Sequence, residues 1–174
     1  GDLTAYPEIG TKVAQYTTTQ SQLVEHKEPS LIPNLSFHVL IADPSRAFSN
    51  RELGGSYNKN FVTVDEFEKI LEQLYNNGYV LVDMDCFIAE TVTGDTITYS
   101  AKPVLLPDGK KPVMITETMV NYFNYMIDSN EDGTLDHTGF ASKPGLDGNG
   151  DMTVETISES DRVPRYIMIA GGGG

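Results

Sequence analysis

The tetrad Thr63-Val64-Asp65-Glu66 constrains this chain more than any other stretch, because it has the form of a capping box. The Thr63 hydroxyl accepts from the Glu66 amide while the Glu66 carboxylate reaches back to the Thr63 amide, satisfying two donors that a helix start leaves unpaired. Val64, Phe67, Ile70, Leu71 and Leu74 then recur at helical spacing, Glu68, Lys69, Glu72 and Gln73 fill the outer face, and Gly78 supplies a left-handed stop. Apolar runs stand on both sides. Leu35-Ser36-Phe37-His38-Val39-Leu40-Ile41, bounded by Pro33 and Asp43-Pro44, suits a buried strand, and Tyr79-Val80-Leu81-Val82 follows the helix at once. Strand, helix, strand at this spacing is a βαβ unit, which implies a parallel sheet with a right-handed crossover.

The rest of the chain adds turns and hairpins to that unit. Asp43 to Asn60 reads as a loop, with Pro44 and Gly54-Gly55 as breakers. Thr91-Val92-Thr93 and Thr96-Ile97-Thr98-Tyr99 flank Gly94-Asp95 as a two-residue hairpin. Pro107-Asp108-Gly109 is a further turn, Val113-Met114-Ile115-Thr116 a third core strand, and Met119 to Ile127 a short helix. Residues 1–30 lack a sustained period and read as a linker or loosely ordered arm; residues 171–174 are four glycines and read as a flexible tail. One domain over residues 31–170 is what a chain of 174 residues predicts.

Charge and cysteine content narrow the partners. With 25 acidic against 12 basic residues the net charge is -13, which disfavours nucleic acid, whose affinity comes from Lys and Arg on phosphates. No apolar run reaches the roughly 18 residues a membrane span needs. Cys86 is the only cysteine, so neither a disulfide nor a cysteine-based zinc motif is available, and its neighbours Met84 and Phe87 predict a buried, inert thiol. Gly1-Asp2-Leu3 has neither the basic start nor the apolar core of a signal peptide.

Four segments in order carry a resemblance. Ile32-Pro33-Asn34-Leu35-Ser36-Phe37-His38, Phe61-Val62-Thr63-Val64-Asp65-Glu66-Phe67, Asn77-Gly78-Tyr79-Val80-Leu81-Val82 and Gly109-Lys110-Lys111-Pro112-Val113-Met114-Ile115-Thr116 resemble the N-terminal portion of the polysaccharide deacetylases, carbohydrate esterase family four or NodB-homology domain. Val120-Asn121-Tyr122-Phe123 and Gly139-Phe140-Ala141-Ser142-Lys143 extend it. The resemblance implies a partial or distorted (β/α) barrel-like parallel sheet with added β-hairpins. It implies an extracellular or cell-surface bacterial protein that acts on acetylated cell-wall or exopolysaccharide sugars. It also implies zinc or a similar divalent metal, whose bound water a neighbouring carboxylate deprotonates.

The residues that should perform this chemistry are replaced. The family's adjacent aspartates fall on Thr118 and Met119, a hydroxyl that is no base near neutrality and a thioether that suits a hard metal site poorly. Glu117 stands one place early, and strand alternation predicts that it points away from the site. His26, His38 and His137 are the only histidines, no two of them three or four residues apart, so His38 is the single candidate ligand near the first strand. Tyr122 and Tyr125 are candidate sugar platforms, with a place in the core as the alternative. The expectation is a deacetylase-like protein, catalytically impaired or incomplete, whose parallel sheet is open and has about three strands.

A second reading uses the acidic turns. Asp128, Asn130, Asp132 and Asp136 follow the start of a calcium loop, though the twelfth place is Gly139 where a bidentate Glu belongs. Asp147, Asn149, Asp151 and Glu155 form a weaker copy. On this reading loops 128–136 and 147–155 make a non-catalytic calcium-binding or interaction module; the simpler alternative is two hydrophilic turns.

Overall fold

The structure is a computed structural model that describes residues 23–26, 28, 31–119, 121–128 and 138–161. Its regular elements are β1 (Leu23–His26), β2 (Asn34–Phe37), α1 (Pro44–Ser49), α2 (Gly54–Asn60), α3 (Val64–Asn76), β3 (Tyr79–Leu81), β4 (Ile88–Thr93), β5 (Thr96–Ala101), β6 (Val104–Pro107), β7 (Lys111–Glu117), β8 (Ser142–Leu146) and β9 (Met152–Thr156). The chain divides into two compact units, Gly1–Asn34 with Leu74–Met114 and Leu35–Gln73 with Ile115–Gly174.

The capping box forms. Thr63 N donates to Oε2 of Glu66 at 2.9 Å and Glu66 N to Oγ1 of Thr63 at 3.2 Å. These bonds favour the charged carboxylate, and the Thr63 amide first of all holds Glu66 below the ordinary carboxylate range. α3 stops where Gly78, at φ 78°, donates its N–H to Tyr75 O at 3.0 Å. The apolar stripe from Val64 to Leu74 is half-buried along its whole length.

In the first unit β3 pairs in parallel with β7, from Tyr79 opposite Lys111 to Leu81 opposite Val113. β1 pairs antiparallel with β6, Leu23 opposite Pro107 and His26 opposite Val104, so the predicted arm over residues 1–30 contains a strand. Four residues that include Glu25 and His26 are too few to show a period; their order comes from a partner far along the chain. Val104, Leu106, Pro112 and Val113 are the buried apolar side chains among this unit's described residues. The β4–β5 hairpin has the predicted register, Thr93 opposite Thr96, and Gly94 at φ 61° is the one positive-φ turn residue, the type II′ arrangement. Cys86, predicted to be buried, is exposed. It ends a 3-10 turn, Met84–Cys86, that Asp83 caps, and the turn carries Met84 and Cys86 outward despite their apolar character.

In the second unit the predicted loop from Asp43 to Asn60 is two helices. Asp43 caps α1 by accepting from Arg46 N at 3.0 Å, with Pro44 in the first turn, and Asn50 Oδ1 accepts from Glu52 N and Leu53 N ahead of α2. Both helices are short, 6 and 7 residues, and form because Ala47 and Tyr57 are buried in the core, which outweighs the weak propensity of Gly54-Gly55. Ile41, Met126, Ile127, Phe140 and Ile157 are the fully buried centre of that core. The stretch Met119 to Ile127, predicted as a helix, makes only a 3-10 turn at Asn124–Met126. Phe123 and Tyr125 stack with their rings 7° from parallel, an i,i+2 contact that a helix would place on different faces.

β7 continues beyond its pairing with β3. Met114 N donates to Pro33 O at 2.9 Å and Thr118 N to Phe37 O at 2.7 Å, an equal step on both strands that marks parallel pairing with β2. The order β2-β7-β3 makes an open parallel sheet of three strands. The third of these strands in the chain lies between the first two, whereas a (β/α) barrel sets consecutive strands side by side, and no barrel closes among the described residues. Past Phe37 the apolar run leaves the ladder: Ile41 bridges to Thr63 and to Ala141, and Leu40 O accepts from Ser142 N at 2.8 Å. β8 and β9 form an antiparallel hairpin from Ser142 opposite Thr156 to Leu146 opposite Met152.

Candidate functional site

A cavity of about 440 Å³ opens in the second unit where the end of β2, the first turn of α3, the end of β7 and the β8–β9 hairpin come together. Phe37 and Phe67 meet edge to face in its wall, 5.1 Å between centroids, while His38, Glu117, Tyr122 and Lys143 contribute polar groups. Ile115 and Glu117 both line it because they are two residues apart on β7 and share a face. Strand alternation thus sets Glu117 toward the cavity, on the face of Ile115.

Thr118 stands just past the last residue of β7, beside Met119, which has the left-handed φ of 56°. Its hydroxyl lies 3.1 Å from Phe37 O, which can only accept, and 3.0 Å from Nδ1 of His38. The hydroxyl proton therefore goes to the carbonyl and the oxygen accepts Nδ1–H. For the neutral ring that selects the Nδ1–H tautomer, in which Nε2 carries the lone pair. The ring is supported from the side by Phe61, 5.3 Å between centroids.

The polar groups contributed by the hairpin are occupied differently. Tyr122 donates its hydroxyl proton to Ser142 O at 3.0 Å, and burial first, then the charge of Glu117, pushes its pKa up. Lys143 Nζ donates to Oδ2 and Oδ1 of Asp161 at 2.9 and 3.1 Å, with Glu155 at 4.0 Å. The Lys143 bond, ahead of those from Ser158, holds Asp161 below the ordinary carboxylate range, and the same bond raises Lys143. Ser158 N and Oγ each donate to Asp161 Oδ2 at 2.8 Å, so the carboxylate joins the residues after β9 to β8.

Of the residues singled out in the sequence, His38, Glu117, Thr118 and Tyr122 gather at or beside this cavity. Tyr125 does not: it stacks on Tyr57 at 5.9 Å and packs against the core. Asn130, Asp132 and Asp136 lie outside the described residues, as does His137; Asp128 is half-buried at the edge of that gap. Asp147 closes the β8–β9 turn, accepting from Asn149 N at 2.8 Å and Asp151 N at 2.9 Å, with Gly150 at φ 83°. The ladder carries Glu155 up the strand to a place opposite Lys143, away from that turn. Lys143 and Asp161 were missed as site residues. Lys143 stands in a quoted segment, but nothing local in the sequence pairs it with Asp161, whose approach is made by the hairpin.

The donor set does not fit the zinc-type metal that the resemblance implies. Both functions of the Thr118 hydroxyl are used, Met119 offers an exposed thioether, and His38 brings one imidazole nitrogen without a carboxylate partner. Hydrolytic zinc needs several imidazole and carboxylate ligands together. Among the described residues no three His, Cys, Asp or Glu side chains converge as such a group. Nor is any helix among them long and apolar enough to cross a membrane. Compared with family models, with curated proteins and with solved structures, the chain matches none.

Proposed function

We propose that the chain is a deacetylase-like protein of the bacterial cell surface that binds saccharides of the acetylated cell-wall or exopolysaccharide class in the 440 Å³ cavity and does not hydrolyse them. The observation that carries this reading is the end of β7. Where the resemblance asks for a base and a ligand, Thr118 is committed to Phe37 O and His38, while the cavity beside it keeps aromatic walls and polar groups. A volume of a few hundred Å³ suits a small ligand. A pyranose can set its apolar face on an aromatic ring and turn its hydroxyls to polar side chains.

Two measurements test it. Incubation with an N-acetylglucosamine trimer and added Zn²⁺ or Co²⁺ should release no acetate above the blank; clear turnover refutes the non-hydrolytic part. Titration of the labelled protein with the same trimer should shift the amide resonances of His38, Glu117 and Lys143. Unmoved resonances there at millimolar sugar remove the saccharide reading.

A further inference from the structure

We infer, building on the saccharide reading, that the cavity prefers a sugar bearing a free ammonium group to one bearing an acetamide or a carboxylate, with Glu117 as the counter-ion.

The charged and aromatic donors that line the cavity are already committed: Tyr122 to Ser142 O, Lys143 to Asp161, and Nδ1–H of His38 to Thr118. The acceptors are not. Nε2 of His38 and the carboxylate of Glu117 have no hydrogen-bond partner among the described residues, while the hydroxyls of Ser142 and Thr153 can act either way. A ligand that only accepts finds few donors here; one rich in O–H and N–H groups finds two open acceptors.

Charge acts in the same direction. Lys143 is the one cationic side chain among the described lining residues, and Asp161 and Glu155 both lie against it. Among the described residues Glu117, an exposed carboxylate at the rim of a partly apolar cavity, is thus left without a cationic partner, on a chain whose net charge is -13. An anionic sugar would meet that carboxylate directly, and a neutral one would leave it without a partner. An ammonium on the ring would pair with it while ring hydroxyls donate to Nε2 of His38.

Calorimetric titration with three trimers of equal length tests this: glucosamine, N-acetylglucosamine and galacturonate. The glucosamine trimer should bind about fivefold more tightly than the N-acetyl trimer, the scale of one solvent-accessible ion pair, and galacturonate should give no heat. Glu117→Gln should abolish that preference and Glu117→Lys should reverse it. Glu68→Gln, which removes the same charge from the exposed outer face of α3, should leave it intact. An N-acetyl trimer that binds as well as glucosamine overturns the inference and leaves the saccharide reading standing. A preference that survives Glu117→Gln, or falls equally with Glu68→Gln, also overturns it and assigns the effect to overall charge. Failure of all three trimers to bind refutes the saccharide reading itself.

Discussion

Nδ1 of His38 and Oγ1 of Thr118 meet at 3.0 Å although 80 residues separate them, so one side-chain hydrogen bond fastens the end of β2 to the end of β7. Thr118→Val keeps the shape and removes both the acceptor for Nδ1–H and the donor to Phe37 O. It should cost about 2 kcal/mol, at about 1 kcal/mol net for each hydrogen bond. It should also release the imidazole to mix its tautomers, which nitrogen chemical shifts report directly. Combined with His38→Gln, the two losses should be less than additive; full additivity would mean that the pair is not coupled.

Lys143 and Asp161 make stability depend on pH in two directions. Asp161 is lowered in the folded state, chiefly by Lys143, so its contribution is complete above the unfolded carboxylate value of about 3.9 and fades as pH falls through the lower folded one. Lys143 is raised, so its contribution is complete below the unfolded lysine value of about 10.4 and fades as pH rises through the higher folded one. Urea midpoints of wild type and Asp161→Asn should therefore differ by a constant amount between those limits and converge in stronger acid. A gap that persists undiminished there would exclude the ion pair as its source.

Two glycines should respond oppositely to a methyl group. At Gly139 a Cβ would collide with the carbonyl oxygen of Met126 and lie 2.8 Å from Cγ1 of Ile157, inside the core, so Gly139→Ala should cost about 2 kcal/mol or more. At Gly55, inside α2, nothing lies within 4 Å, and Gly55→Ala should gain about 0.5–1 kcal/mol through helix propensity. Thermal midpoints of the two variants should move to opposite sides of wild type; a stable Gly139→Ala would mean that the chain around Phe140 can yield.

Restoring the carboxylates alone should not restore hydrolysis. Thr118→Asp with Met119→Asp supplies two acids, but among the described residues His38 is the only imidazole in the neighbourhood, and no two of the histidines His26, His38 and His137 stand three or four residues apart. Acetate release by the double variant with Zn²⁺ should stay at the blank. Turnover would show that the losses are not independent.

What the sequence made legible was local. The capping box, the Gly78 stop and the Gly94-Asp95 hairpin each depend on groups within a few residues of one another, and all three appear with the predicted partners. What it hid was non-local. β1 exists because β6 pairs with it, α1 and α2 because Ala47 and Tyr57 are buried in the core, and the stretch after Met119 avoids a helix because its aromatic residues stack and pack on that core. At the cavity the same division applies. The role of Thr118 as the acceptor that orients His38 was not legible, nor was the pairing of Lys143 with Asp161.

Met119 follows, with φ at 56°. A side chain in that left-handed well costs about 1–2 kcal/mol, less for Asn or Asp and nothing for Gly. The position therefore exerts a standing selective pull of its own, independent of any ligand. Under selection for folding alone, drift at residue 119 runs downhill toward Asn, Asp or Gly and is blocked toward Val, Ile or Thr, so methionine there is a tenant that the backbone would exchange.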